Sequence, residues 1–241
     1  MSGVDGALRA GRVTAIMGPS GAGKTTFLTT IAGKAYYGKT GGEILLNGEP
    51  ASIGTIRKLM GFVPQEDVML RMLKVKEIFN FNSEMRLPPD MPHEERRALV
   101  NSVINLLGLS EIQYEAIGDE SQRGISGGQR KRVNIGMELV ANPTILLLDE
   151  PTSGLDSTGS LEVCKILRSV ARLGLTVATV IHQPRYDIFT MFDDVLLLGK
   201  GGKTVYLGPT KNALPYFTHL GFKIPKHANP ADFFMDVISG Q

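Results

Sequence analysis

Cysteine is almost absent from this chain: its 241 residues hold a single one, Cys164. One thiol excludes an internal disulfide and fits a reducing compartment. Long apolar runs are missing too. The longest, Ile145-Leu146-Leu147-Leu148 and Val195-Leu196-Leu197-Leu198, fall far short of the roughly 20 residues that a membrane-spanning helix needs. No signal-peptide pattern opens the chain, so the polypeptide taken alone is expected to be soluble and cytosolic. Charge of one sign is not in excess either. Lys and Arg total 26 against 24 Asp and Glu, a net charge of +2, which suggests no broad electrostatic surface for nucleic acid. The one basic cluster, Arg130-Lys131-Arg132, is expected on a helix face rather than in a DNA groove. Internal repeats and low-complexity segments are absent as well. Cys164 falls on the stripe Leu161, Cys164, Leu167, Ala171 of a predicted helix, which is the place of a packed core thiol rather than a reactive one.

With 42% hydrophobic residues the chain can bury a full core, as one α/β domain or as a domain with an inserted lobe. An apolar strand Val13-Thr14-Ala15-Ile16-Met17 leads into a glycine-rich loop and a helix beginning Thr25-Thr26-Phe27-Leu28. Glu43-Ile44-Leu45-Leu46 reads as a strand closed by the turn Asn47-Gly48, a pair that joins antiparallel strands. Met60-Gly61-Phe62-Val63 is a further strand. From 68 to 140 the texture turns helical. Pro88-Pro89-Asp90-Met91-Pro92 breaks one helix, and His93 opens another with Leu99, Val103, Leu106 and Leu107 on its apolar face. Met60, Met69, Met72 and Met85 read as gap-fillers rather than ligands.

After Asn142-Pro143 short strands return at 144–148, 176–181 and 195–198. Their nearly continuous apolar character suits a parallel sheet covered on both faces. Residues 203–207 form a plausible edge strand. At the end, Asn229 can cap a helix, Pro230 suits its first turn and Gly240 can terminate it. The pattern predicts an α/β core interrupted by a helical insert.

Gly18-Pro19-Ser20-Gly21-Ala22-Gly23-Lys24-Thr25 fits the phosphate-loop pattern G-x-x-x-x-G-K-[ST]. Such a loop turns successive backbone N–H groups onto phosphate oxygens; Lys24 adds a charge at the β- and γ-phosphates and Thr25 a hydroxyl for Mg²⁺. The helix that follows starts at its positive end, which also favours an anion. Residues 144–150 form an apolar strand that delivers Asp149 and Glu150 at its C-terminal end, where open α/β sheets bind ligands. In isolation a strand ending in Asp-Glu fits a solvated turn equally well. Behind a phosphate loop, Asp149 suits Mg²⁺ and Glu150 suits polarising the attacking water. Ser126-Gly127-Gly128-Gln129 opens another helix. Alone it reads first as a cap with glycine flexibility, and second as a further phosphate cradle.

The phosphate loop, Gln65, residues 126–129, Asp149-Glu150, Ser153-Gly154-Leu155-Asp156 and His182 occur in that order. Together they resemble the nucleotide-binding domain of an ABC transporter, over essentially the whole chain. Val63-Pro64-Gln65-Glu66-Asp67, Arg123-Gly124-Ile125-Ser126-Gly127-Gly128-Gln129-Arg130-Lys131-Arg132, Pro151-Thr152-Ser153-Gly154-Leu155-Asp156-Ser157, Ile181-His182-Gln183-Pro184 and Asn229-Pro230-Ala231-Asp232 are similar to the G (white-brown complex) subfamily. The resemblance implies a P-loop NTPase core, a RecA-like mostly parallel sheet with flanking antiparallel strands, carrying an inserted α-helical subdomain. Residues 1–67 and 141–241 would form the core, and 68–140 the helical subdomain.

The resemblance also implies roles for single residues. Gly18, Pro19, Ser20, Gly21, Ala22, Gly23, Lys24, Thr25 and Thr26 would hold the phosphates of ATP and its Mg²⁺. Gln65 would sense Mg²⁺ and the attacking water, and its loop would link the core to the helical lobe. Asp149 would support Mg²⁺, Glu150 would be the catalytic carboxylate, and His182 would clamp the γ-phosphate. Ser126, Gly127, Gly128 and Gln129 would contact the γ-phosphate of a nucleotide held by a second subunit, and Asp156 would lie in the loop crossing between subunits. His93, His219 and His227 have no such context and read as surface or helix-end residues. The implied partners are a second nucleotide-binding domain and a membrane domain beyond Gln241, which would hold the assembly at the cytoplasmic face of a membrane.

Two departures stand out. About two dozen residues precede Lys24 and none is aromatic, so the adenine-stacking platform of the family is expected to be absent from this chain, at a cost of roughly 1 kcal/mol in binding. Lys74 stands where the subfamily usually shows threonine. Other readings are a soluble ATPase acting on DNA, ribosomes or chromosomes, and a regulatory module without catalysis. The first usually joins two nucleotide domains or inserts long coiled coils, and neither is here. The second is opposed by Glu150, His182 and the intact segment 126–129.

Overall fold

The computed structural model describes residues 3–36, 38–118, 124–226 and 228–240; Arg123 and His227 lie outside the described residues. Strand β1 (Val13–Met17) runs into helix α1 (Lys24–Ile31), followed by the short strands β2 (Leu45–Leu46) and β3 (Glu49–Pro50). Helix α2 (Ile53–Leu59) leads to β4 (Met60–Val63). Three helices follow, α3 (Val75–Arg86), α4 (His93–Leu106) and α5 (Gly127–Leu139). The chain then alternates through β5 (Ile145–Asp149), α6 (Ser157–Arg172), β6 (Thr176–Val180), α7 (Tyr186–Phe189) and β7 (Asp194–Leu198). It closes with β8 (Thr204–Pro209), α8 (Thr210–His219) and α9 (Pro230–Ser239).

The main sheet has the order β4-β5-β6-β1-β7-β8. All neighbours pair parallel except β7 and β8, which are antiparallel at one edge. The mostly parallel sheet expected from the apolar strands is therefore found, and its alternation explains their composition. Ala15, Met17, Leu146, Leu148, Val195 and Leu197 point into one core, shared with α3–α6, α8 and α9. Ile16, Leu147, Leu196 and Leu198 point into the other, where α1 contributes Leu28 and the N-terminal arm contributes Val4 and Leu8. Strands buried on both faces have no place for a polar stripe.

Polar groups tie the strand starts together. Arg12 donates to both carboxylate oxygens of Asp194, at 2.6 and 2.7 Å, and to the carbonyl of Asp193 at 3.1 Å. The Asp193 carboxylate in turn accepts the N–H of Val13 at 2.9 Å. This forked pair fixes β1 against β7 at the end of the sheet opposite the site, and Asp194 is buried, so the bond is little screened.

The second sheet is shorter than expected. The strand predicted at 43–46 contracts to residues 45–46, paired with 49–50 across the Asn47-Gly48 turn, whose φ values of 53° and 87° are those of a tight hairpin. The contraction follows from burial: Glu43 and Leu45 face solvent, so no core holds a longer ladder. Cys164 is a core thiol as its stripe implied, and burial pushes its pKa up to about 12. The methionines divide. Met60 and Met69 pack against the cores, whereas Met72 and Met85 are 91% and 70% exposed and fill no gap. Among the described residues no element covers the loop carrying Met72 or the outer face of α3, a circumstance that residue type alone does not reveal. His93 and His219 sit at the first position of α4 and the last of α8, both exposed.

Lys74 is the N-cap residue of α3, with extended backbone and an N–H bonded to the Glu77 carboxylate at 2.9 Å. That is half of a capping box, because an ammonium cannot accept the N3 N–H. Lys74→Thr supplies the acceptor and is expected to stabilise the chain by about 1 kcal/mol. In thermal unfolding this is a rise of roughly 2–4 °C; an unchanged midpoint would mean that solvent already satisfies the N3 donor equally well.

Candidate functional site

Because β1, β4, β5 and β6 are mutually parallel, the residues just past their C-terminal ends share one edge of the sheet. Residues 18–25 leave β1, Gln65 leaves β4, Glu150 leaves β5 and His182 leaves β6. Four segments that are far apart in sequence thus converge by topology alone.

The loop after β1 passes close to the backbone of β7. A Cβ on Gly18 would lie 2.4 Å from the carbonyl oxygen of Leu198, so a side chain is excluded there. Gly23 caps α1 in the left-handed region, at φ 91°, which turns the loop into the helix without a side-chain cap. No acidic residue occupies the first turn of α1, so its positive end is uncompensated. Lys24 is buried, and its Nζ donates to the carbonyls of Gly18 and Pro19 at 2.9 and 3.2 Å. Burial lowers its pKa, against the opposing pull of Glu150 and Asp149. Ser20, Gly21, Thr25 and Thr26 are exposed along the rim, while Gly18 and Ala22 are buried beneath it.

Two side-chain bonds link this loop to its neighbours. The Thr25 hydroxyl donates to Asp149 Oδ1 at 3.1 Å, and Gln65 Nε2 donates to Glu150 Oε2 at 3.0 Å. Asp149 is buried at the last position of β5, and burial raises its pKa; the Thr25 bond and Lys24 oppose this, and Glu150 adds to it. Glu150 has φ 46°, an uncommon conformation for this residue type, and its N–H donates to Val180 O at 3.1 Å. Its carboxylate is thereby turned out of the strand direction toward the mouth of the loop.

His182 is exposed and borders a small crevice of about 190 Å³ that also takes in Gly18, Pro19 and Ser20. Met235, Asp236 and Ser239 of α9 line it as well. Asn229, the cap of α9, also donates to Pro184 O at 2.9 Å, holding the turn after His182. The sequence marks Asn229, Pro230 and Gly240 as the ends of this helix but does not single out Met235, Asp236 or Ser239, because nothing local in a C-terminal helix reveals which loop it meets. A far larger cavity, about 1110 Å³, lies between the N-terminal arm, α1 and the β2–β3 hairpin, and is lined by none of residues 18–25, 65, 149 or 150.

Residues 126–129 and 156 stand at the starts of α5 and α6. Ser126 Oγ accepts the N–H of Gln129 at 3.2 Å, and Gln129 Oε1 accepts the N–H of Ser126 at 2.8 Å, a reciprocal capping box at the start of α5. Gly128 has open space where a side chain would be. Asp156 caps α6 through the N–H of Gly159 at 2.9 Å. Among the described residues, the recorded hydrogen bonds of these side chains stay within their own turns. The basic cluster does lie on a helix, yet none of its three side chains is simply solvated. Arg130 bonds Ile125 O, Arg132 bonds Leu107 O, and Lys131 is buried against the loop after β4.

The oxygen donors at the loop mouth, a hydroxyl, two carboxylates and the amide of Gln65, suit a hard cation. Among the described residues no cluster of three or more His, Cys, Asp or Glu could hold an ion unaided. This donor set fits Mg²⁺, which keeps several waters and takes the rest of its shell from phosphate oxygens.

The raised Asp149 pKa sets a sign. The folded chain keeps this proton to higher pH than the unfolded one, whose value is near 3.8, so its contribution is full below that value and is lost as pH rises through the folded value. Without nucleotide or Mg²⁺, Asp149→Asn is therefore expected to raise the urea midpoint at pH 7, with a smaller gain toward pH 4. A loss of stability at pH 7 would mean that the Thr25 bond outweighs burial.

Comparison with known proteins adds to this geometry. The family ABC_tran, described as ABC transporter, matches residues 1–153, and ABC2_membrane_7, described as ABC-2 type transporter, matches residues 182–241. The latter stretch folds here as β7, β8 and helices α7–α9, and among the described residues no helix is long and apolar enough to cross a membrane. ABC transporter G family member 28 of Arabidopsis thaliana is 48% identical over 237 residues, which cover 98% of this chain and 21% of the relative. The broad substrate specificity ATP-binding cassette transporter ABCG2 of Mus musculus is 41% identical over 240 residues, covering 100% of this chain and 36% of the relative. The chain thus spans about a fifth to a third of the length of these relatives. Among solved structures, cbiO1 from Clostridium perfringens, part of the ABC transporter complex cbiONQ, superposes with a TM-score of 0.72 at 27% identity, over 92% of this chain and 91% of that one.

Proposed function

The chain belongs to the ABC transporter family, as a nucleotide-binding domain of the G (white-brown complex) subfamily, and from that premise we propose that it binds ATP over residues 18–26 and hydrolyses it with Glu150. The observation that carries the reading is the pairing at the loop mouth, Thr25 with Asp149 and Gln65 with Glu150. It sets a metal-ligating hydroxyl, a supporting carboxylate and a candidate base side by side.

Backbone N–H groups of the loop and the start of α1 receive the phosphates. Lys24, now on the carbonyls of Gly18 and Pro19, turns its ammonium onto the β- and γ-phosphates, exchanging two neutral acceptors for anionic ones. Thr25, with Asp149 and Gln65, would hold Mg²⁺, which would supply neutralisation of the phosphate charge. Glu150 accepts a proton from the attacking water as the new O–P bond forms; the bond between the γ-phosphorus and its bridging oxygen breaks, and ADP leaves with the electron pair. Gln65 orients that water, and His182, which lines the same crevice as residues 18–20, holds the γ-phosphate.

Residues 126–129 and Asp156 serve a second nucleotide-binding domain, so that two chains enclose two ATP molecules. This is supported by the open space at Gly128 and by the side chains of Ser126, Gln129 and Asp156, which bond within their own turns. The membrane domain of the transporter rests on the helical subdomain, residues 68–140. Val68, Leu70 and Met72 in the loop before α3, with Phe81 and Met85 on α3, are exposed apolar side chains of the kind a partner covers. Closure of the two domains moves this surface, and the cycle drives transport across the membrane.

Glu150→Gln in the complete polypeptide is expected to lower steady-state ATP hydrolysis by about 100-fold or more, while ATP-dependent association of the nucleotide-binding domains persists. Turnover equal to that of the wild type would remove Glu150 from the catalytic role.

A further inference from the structure

Lys131 is the most completely buried charged side chain near the site and takes no part in the scheme above. It lies on the second turn of α5 and is 3% exposed. Its Nζ donates to the backbone carbonyl of Gln65 at 2.8 Å and to the Asp67 carboxylate at 2.7 Å. Asn134, one turn further along α5, donates to the same Asp67 oxygen at 3.3 Å. One turn beyond that, Glu138 accepts the N–H of Phe62, in edge strand β4, at 3.1 Å. Residues 131, 134 and 138 thus lie on one face of α5 and bond in turn to the loop after β4 and to β4 itself.

The consequences of this arrangement run both ways. At its start, α5 carries residues 126–129. At its Lys131 contact, it holds the backbone of the residue whose side chain bonds Glu150. A lysine anchored between a carbonyl and a carboxylate away from water forms short, charge-assisted bonds with little freedom to rearrange. A displacement of α5 is therefore passed to Gln65, and through its amide to Glu150.

We propose that Lys131, with Asp67, is a positioning residue for hydrolysis: it fixes Gln65 against Glu150 and couples the segment 126–129 at the head of α5 to the catalytic carboxylate of the same chain. This rests on the catalytic reading of Glu150 and Gln65 given above. Lys131 is buried against Gln65 and Asp67 and lies outside the phosphate-binding set 18–26, so it is expected to act on the chemical step and leave nucleotide affinity alone.

The test is a double-mutant cycle in steady-state ATP hydrolysis by the complete polypeptide, with wild type, Lys131→Met, Lys131→Arg, Gln65→Ala and the Lys131→Met/Gln65→Ala pair. Lys131→Met is expected to lower kcat about tenfold with KM for MgATP within about twofold, and to lower it by less than about twofold in the Gln65→Ala background. Lys131→Arg, which keeps charge and donors, is expected to recover most of the loss. If Lys131→Met does not fold, Asp67→Asn is read in the same cycle with the same expectations. A full tenfold loss in the Gln65→Ala background, or an unchanged kcat in the folded single variant, overturns the proposal. Absence of hydrolysis in the wild type would instead overturn the catalytic reading itself and, with it, the inference.

Discussion

The parallel pairing of β1 with β6, and of β6 with β5 and β5 with β4, is the constraint on which the rest of this structure depends. Register brings Ile16 beside Val180, Asp149 beside Val180, and Val63 beside Leu148. Four strand ends consequently stop at one level, and the loops that leave them have nowhere to go but the same edge. The site is a product of that alignment. A slip of one residue in any of these ladders would turn buried side chains to the wrong face and move a residue of the candidate site by a strand step.

What the alignment assembles is unfavourable for the empty fold. Lys24 and Asp149 are both buried, and each has its pKa moved by burial toward the neutral form. Glu150 and Gln183 hold left-handed backbone conformations that cost energy for residues with side chains. In compensation, the two apolar cores continue unbroken beneath the loops, and the Arg12–Asp194 fork clamps the far end of the sheet. A charged pocket held ready by a rigid base is what recognition of a polyphosphate requires, since groups fixed in advance lose little entropy on binding.

The helices show a second division of labour. The outer face of α3 and the loop before it leave Met72 and Met85 exposed, whereas the inner face of α5 is bonded to β4 and its exit loop. An edge strand with unpaired N–H groups invites unwanted pairing. Glu138 satisfies one of these at Phe62, so the same helix both protects the sheet edge and reaches the loop of Gln65. Among the described residues the helical insert thus has one face committed to the sheet and another that is apolar and exposed.

The sequence by itself determined the elements whose cause is local. The loop 18–25 is specified by glycines that permit left-handed backbone, the strands by unbroken β-branched and leucine runs, and the caps at Ser126, Asp156 and Asn229 by side chains that bond three residues or fewer away. The ordered set from Gly18 to His182 was readable for the same reason, as each member belongs to a short segment with its own signature. Tertiary structure alone decided what depends on distant partners. It shortened the 43–46 strand, exposed Met72 and Met85, and buried Lys131 from within a basic cluster that composition would leave in water. It also brought Asp236 and Ser239 of α9 beside the phosphate loop. The physical reason is common to all four: burial and pairing are set by which surfaces meet, and a lysine or methionine is the same residue by sequence whether or not another element covers it.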